Sequence, residues 1–196
     1  MRNLLLLLLL MTLLVSCGKS KSSAPFQAID ISWRYAEEPP SFRLTDSNGK
    51  IRRLSDYKGK VVVVFFGYTH CPEICPTTLA DLAQVMRLLD KDADKVQVLF
   101  VTLDPERDTP KLLAEYVPFF HPSFLGLYGD IQTTAQVAKT FGVNYERRVE
   151  KGSYTLDHSD GIYLIGTNGK PILLSPYNQR AELLAQDIKL LLQMAR

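Results

Sequence analysis

Cysteine is scarce in this chain, with three in 196 residues, too few to staple a domain with disulfides. No dense block of lysine and arginine occurs, and 23 basic against 21 acidic residues leave a net charge of +2. The chain therefore lacks the basic face that nucleic acid would require. No internal repeat divides it. Its one long apolar run, near the start, is short for a membrane span. The length accommodates a short leader and one domain with a sizeable core, but not two ordinary domains. A hydrophobic content of 46% is that of a soluble globular fold.

The leader begins with one basic residue, Arg2, followed by Leu4 to Leu10 and then Met-Thr-Leu-Leu-Val-Ser-Cys, the pattern of a secretory signal. Leu14-Val15-Ser16-Cys17 resembles a bacterial lipoprotein box, in which cleavage precedes the cysteine and that cysteine receives lipid. The competing readings are an uncleaved anchor or an ordinary signal peptide. All of them put the domain outside the cytoplasm, on the periplasmic or exterior side of a membrane. The expected organisation is a lipoprotein signal over residues 1–17, a flexible Lys/Ser/Ala tether over 18–25, and one domain over 26–196. If Cys17 carries lipid, only Cys71 and Cys75 remain, in one loop. Such a dithiol is a redox or metal site rather than a scaffold.

That loop follows the stretch around which the chain is organised. Val61-Val-Val-Val-Phe-Phe-Gly67 has no polar alternation, as expected of a strand buried on both faces. Turn residues and a helix start come next. Cys71 and Cys75 are each followed by proline, which suits a first helical turn and disfavours helical geometry in the residue before it. Cys75 is expected to cap a helix that begins at Pro76 and runs through Leu89, with Cys71 on the preceding turn. A helix N-terminus favours a thiolate. The two sulfurs could close as a disulfide or hold a soft metal ion.

Elsewhere, Ala28 to Tyr35 reads as an edge strand with Trp33 as a packing anchor. Phe42 to Thr45 and Ile51 to Leu54 alternate around Asp46-Ser-Asn-Gly49, a hairpin signal. Val96 to Leu103 is a second buried strand. It ends in a charged loop, Asp104 to Pro110, which leads through a Thr109 cap and Pro110 into a helix over about 111–119. Parallel strands joined by a helix bring the Asp104 loop to the sheet edge that holds the cysteines. Asp104 and Asp108 there either serve the site or merely cap a solvated turn. A short strand over 124–128, a helix over 131–141, a polar connection over 144–152, two strands around Thr167-Asn-Gly-Lys170 and a closing amphipathic helix over 180–194 complete the pass. His121 is expected to be structural, at a helix end.

This order, with an N-terminal β-hairpin extension, is an α/β thioredoxin-like plan. Thioredoxins carry a cis-proline in the loop opposite their cysteines, whereas this chain has Asp157-His158-Ser159. The fold thereby makes His158 the favoured third donor beside the dithiol. His70 competes, but its side chain should leave the loop in another direction. Two thiolates and an imidazole suit copper as Cu(I) or Cu(II). Zinc in a structural site would want a fourth protein ligand, and none is evident.

Gly67-Tyr-Thr-His-Cys-Pro-Glu-Ile-Cys-Pro-Thr-Thr-Leu79 resembles the signature of the Sco/SenC family. Leu103-Asp-Pro-Glu-Arg-Asp-Thr-Pro110 and Asp157-His158-Ser159 resemble two further motifs of that family, and the match runs from about Phe42 to the closing helix. The lipoprotein leader departs from the transmembrane anchor often seen in the family. The resemblance implies a thioredoxin-fold copper metallochaperone that helps assemble the dinuclear copper centre of cytochrome c oxidase. Cys71, Cys75 and His158 would be the copper ligands, with Asp104 or Asp108 supporting them from behind. Its partners would be the copper-bearing oxidase subunit, other copper chaperones and, through the lipid on Cys17, the membrane.

A second class stays open at this level: a thiol-disulfide oxidoreductase in which Cys71 and Cys75 attack and resolve, reducing the target's copper-ligand cysteines. Against it stand the longer Cys-x-x-x-Cys spacing and the histidine in place of the cis-proline. A peroxidase is less well supported, because no Pro-x-x-x-Thr-x-x-Cys precedes Cys71. Binding and transfer, rather than steady enzymatic turnover, is the expectation.

Overall fold

The computed structural model describes residues 26–150 and 152–194. The expected leader with Cys17 and the tether over 18–25 lie outside the described residues. Among the described residues no helix is long and apolar enough to cross a membrane.

The organising stretch is strand β4 (Val61–Gly67), every residue of which is buried. It lies inside an eight-stranded mixed sheet with β1 (Ile29–Asp30), β2 (Arg43–Asp46), β3 (Ile51–Arg53), β5 (Val96–Thr102), β6 (Leu125–Tyr128), β9 (Ile162–Ile165) and β10 (Pro171–Ser175). The order across it is β1-β10-β9-β4-β5-β6-β2-β3. β4 runs parallel to β5 and antiparallel to β9. A parallel neighbour requires a crossover, here helix α1 (Ile74–Leu89), and β5 reaches β6 through α2 (Pro110–Phe120). Helix α3 (Ile131–Phe141) and the closing helix α4 (Ala181–Met194) complete the set. This is the thioredoxin-like arrangement, with the β2–β3 hairpin added at the far edge beyond β6.

Alternation along β4 sorts its side chains between two faces. Phe65 meets Phe100, which in turn meets Tyr116 of α2. Phe66 points the other way, to Phe141 of α3 and Tyr163. Both faces of the sheet are therefore covered by helix, which is why the strand needs no polar residue.

The helix starts follow local chemistry. Thr109 accepts from Leu112 N at 3.2 Å with Pro110 in the first turn, and Asp130 accepts from Thr133 N at 2.7 Å. Asp187 of α4 is fully buried and accepts from the amides of Gln27 (2.9 Å) and Ala28 (2.8 Å). A carboxylate on the last helix thereby holds the first described residues of the domain. His121 ends α2 and bonds Ser123 Oγ through Nδ1 at 2.8 Å, a structural role as expected.

Four expectations need correcting. The N-terminal edge strand is only Ile29–Asp30, followed by a 3₁₀ turn over Ser32–Tyr35. Ile31 and Tyr35 make the packing contacts of that turn, and Trp33 stands 75% exposed instead of anchoring the core. Helix α1 starts at Ile74, so Cys75 sits inside its first turn and the cap position falls to Glu73, whose side chain makes no capping bond. Residues 144–152, expected to be a polar connection, instead contribute β7 (Tyr145–Glu150). It pairs with β8 (Ser153–His158) in a two-stranded sheet of its own.

Candidate metal centre

The centre is assembled where β4 hands over to α1. After Gly67 the chain turns through Tyr68, Thr69 and His70, with Cys71 N donating to Tyr68 O at 3.3 Å. Cys75 is fully buried and Cys71 partly exposed. Cys75 N donates to Cys71 Sγ at 3.4 Å, so Cys71, though outside the helix, receives an amide of its first turn. The Cys75 sulfur lies directly over Gly67. A Cβ at that position would stand 2.8 Å from Sγ and 3.0 Å from the Phe100 ring, so only glycine leaves room for the thiol.

His158 arrives from the end of β8, paired with Tyr145 across the hairpin. Its Nε2 lies 3.8 Å from Cys75 Sγ, and Nδ1 lies 2.8 Å from Ser159 O. In the neutral ring, an Nδ1–H donated to that carbonyl leaves the Nε2 lone pair facing sulfur. Tyr68 meets the imidazole edge to face at 6.1 Å, and its hydroxyl accepts from Leu156 N at 3.2 Å. The strand carrying His158 is thus tied to the loop carrying Cys71.

The two sulfurs divide one proton unequally. Hydrogen bonding from Cys75 is the main influence that pulls the Cys71 thiol down to about 4; burial opposes it, while the His158 ring and the amides of Cys75 and Glu73 assist. Donating to Cys71, together with burial and the adjacent charge, pushes the Cys75 thiol far above the ordinary thiol range. His158 is raised on balance: burial would lower it, but the Cys71 thiolate, the Ser159 carbonyl and the Asp160 charge prevail. The metal-free site is therefore a thiolate, a thiol and a basic ring, with Cys71 the reactive sulfur. Its alkylation by iodoacetamide, followed by mass spectrometry of the metal-free protein, is expected to stay near its plateau from pH 8 down to pH 6. The rate should fall only as pH approaches the Cys71 value, with Cys75 labelled far more slowly throughout. A Cys71 rate that instead climbs steeply between pH 7 and pH 9 would contradict this division.

The loop after β5 closes one side. Asp108, 1% exposed, accepts from Thr69 N (3.0 Å), Thr69 Oγ1 (2.6 Å) and Thr102 Oγ1 (2.6 Å). Asp104, also buried, accepts from Arg107 Nε (2.5 Å) and Tyr154 Oη (2.7 Å). Both aspartates are internal rather than part of a solvated turn, and neither bonds a sulfur or the imidazole of His158. His70 turns toward Thr69 Oγ1 (3.1 Å) and Asp108 (3.7 Å), away from the thiols. Sequence reading missed Arg107 and Tyr154, whose partners are far apart in the chain. Gly152, at φ 85° just before β8, is the local turn signal that could have revealed β7.

Cys71, Cys75 and His158 are thus brought together, as two soft sulfur donors and one imidazole. Among the described residues no group of three or more His, Cys, Asp or Glu side chains is gathered into a ready-made metal cage. The Cys71 and Cys75 thiols and the His158 ring interact with one another instead. A donor set of this softness fits copper.

A family model described as SCO1/SenC matches residues 34–193. The mitochondrial SCO2 homolog of Bos taurus is 43% identical over 144 residues, which are 71% of this chain and 53% of that protein. The chain thus spans about half the length of that relative. The structure of Bradyrhizobium japonicum ScoI with copper bound superposes with a TM-score of 0.71 at 40% identity, covering 77% of this chain and 97% of that one. A SCO1/SenC family lipoprotein of Bacillus anthracis superposes with a TM-score of 0.68 at 26% identity, covering 82% and 99%.

Proposed function

This chain belongs to the SCO1/SenC family, and from that premise and the Cys71, Cys75 and His158 cluster we propose that it binds copper as cargo and passes it on during cytochrome c oxidase assembly. The single observation that carries the reading is the contact of His158 Nε2 with Cys75 Sγ at 3.8 Å, beside Cys71, whose Sγ accepts from Cys75 N at 3.4 Å. Supporting it are the copper bound to the similar Bradyrhizobium japonicum protein and the absence of a carboxylate among the donors, which suits a soft ion. Cys71, already a thiolate, meets the ion first. Cys75 then gives up its proton to solvent, and His158 completes the set through Nε2. Release reverses these steps by ligand exchange with a recipient's thiolates and imidazoles.

The recipient in this reading is the copper-bearing subunit of cytochrome c oxidase, with other copper chaperones as donors. Lipid on Cys17 would hold the domain at the membrane surface outside the cytoplasm, a placement in keeping with the lipoprotein of Bacillus anthracis. Titrating Cu(I) and Cu(II) into the purified protein tests the binding step. About one ion per chain is expected in either oxidation state, with Cu(II) producing a thiolate-to-copper absorption band. Binding of neither ion at that ratio would end the copper reading and leave a dithiol reductant.

A further inference from the structure

His158 depends on an element that the main sheet does not hold. The β7–β8 hairpin forms its own two-stranded sheet, so no ladder bond to β4, β5 or β9 fixes its angle over the thiols. What fixes it is side-chain chemistry. Arg107, in the loop after β5, donates Nε to Asp104 Oδ2 (2.5 Å) and Nη1 to Tyr154 O (2.9 Å). Its guanidinium lies 3.6 Å from the centre of the Tyr154 ring, and the Tyr154 hydroxyl returns to the other oxygen of Asp104 at 2.7 Å. Arg147 of β7 approaches the same ring at 4.0 Å and pairs with Glu106. A single guanidinium therefore joins a buried carboxylate, a main-chain carbonyl and an aromatic face, a combination that lysine cannot reproduce.

Tyr154 and His158 are four residues apart on one strand, so their side chains leave the same face. Leu156 lies between them on that face, and its amide bonds the Tyr68 hydroxyl. Holding Tyr154 thus sets the approach of His158. The closed arrangement has a visible cost: Arg107 Nη2 is buried with no hydrogen-bond partner, and opening the hairpin would give it water.

We infer that Arg107 is a positioning residue, clamping the β7–β8 hairpin through Tyr154 and Asp104 so that His158 stays over Cys71 and Cys75, and that the clamp governs how readily the imidazole leaves the site. The inference rests on the copper reading only for its metal readout. Amide hydrogen exchange of the metal-free full chain tests the clamp without any metal. In Arg107→Ala and Arg107→Lys, amides over residues 145–158 should exchange about tenfold faster or more, with the strands of the main sheet unchanged. Tyr154→Phe, which keeps the ring and removes only its hydroxyl, should give a smaller rise in the same segment.

The metal readout is a double-mutant cycle. Arg107→Ala should weaken Cu(II) binding and lower the thiolate-to-copper absorption in the wild-type background, yet change neither once His158 is alanine, because its effect passes through that ring. Unchanged exchange over 145–158 in all three variants would overturn the inference. So would faster exchange spread across the whole domain, or an equal Arg107→Ala loss in both backgrounds. If His158→Ala itself leaves copper binding untouched, the ligand assignment falls, and hydrogen exchange alone then decides the clamp.

Discussion

Replacing His158 with alanine is expected to weaken Cu(II) binding by more than about a hundredfold, since altering a group that merely supports a ligand already costs 10–100-fold. Cu(I) should be less affected, because two thiolates suit it without nitrogen. The thiolate-to-copper absorption should shift or disappear. The pH dependence should change as well. The His158 ring sits above the ordinary imidazole value, so a proton competes with the ion for Nε2 up to a higher pH than usual. Wild-type Cu(II) affinity should therefore rise with pH through that range and fall as the ring is protonated below it. In the alanine variant the share of that slope contributed by the ring should vanish. Competition titrations at several pH values measure both effects. Affinities within threefold of wild type would show that the imidazole is not a ligand.

The second large effect concerns stability. Asp108 is the buried acceptor for one amide and two hydroxyls, joining the turn before Cys71 to the end of β5. Asp108→Ala would leave the Thr69 amide and the Thr102 hydroxyl without a partner inside the fold, while the Thr69 hydroxyl keeps His70 Nδ1 within reach, at a cost of about 2–3 kcal/mol. Asp108→Asn keeps one acceptor oxygen but turns an amide nitrogen toward groups that also donate, and should lose about half as much. Urea unfolding, with the midpoint lowered and the slope unchanged, is the measurement. Copper affinity should drop in parallel, because the turn that presents Cys71 loses its brace. An Asp108→Ala midpoint indistinguishable from wild type would mean that other contacts hold the loop.

Much of this site was legible beforehand because its signals are local. A seven-residue run without polar alternation meant a strand covered on both faces, and Thr109-Pro110 announced the start of α2. The spacing of Cys71 and Cys75 put them at the junction of strand and helix. What distinguished His158 from an ordinary histidine was topology: only the thioredoxin-like order placed Asp157-His158-Ser159 opposite the thiols. The exact start of α1 was misjudged by reading proline as the first helical residue, whereas Pro76 is the third residue of the helix, a position whose amide has no intrahelical acceptor in any case.

The β7 strand escaped notice for a different reason. Tyr145-Glu-Arg-Arg-Val-Glu150 has little apolar face to display, since the hairpin stands off the main sheet and buries little there; Val149 is 78% exposed. Arg107 and Tyr154 were invisible as a pair because their contacts join positions 47 and 50 apart, which no local periodicity encodes. Trp33 was misjudged for the opposite reason. Large aromatics usually pack, but here the buried positions of the 3₁₀ turn belong to Ile31 and Tyr35.

The grip of Asp187 on the amides of Gln27 and Ala28 determines how force would travel through the molecule. A tug from upstream of residue 26 would be met first by the last helix, α4, which lies against α1, and next by the β1–β10 pair. Part of the load would pass to α1, whose first turn carries Cys75, and part to β10, which pairs with β1. A pull at that end would thus be felt first along the helix that carries Cys75, and not along the separate hairpin that carries His158.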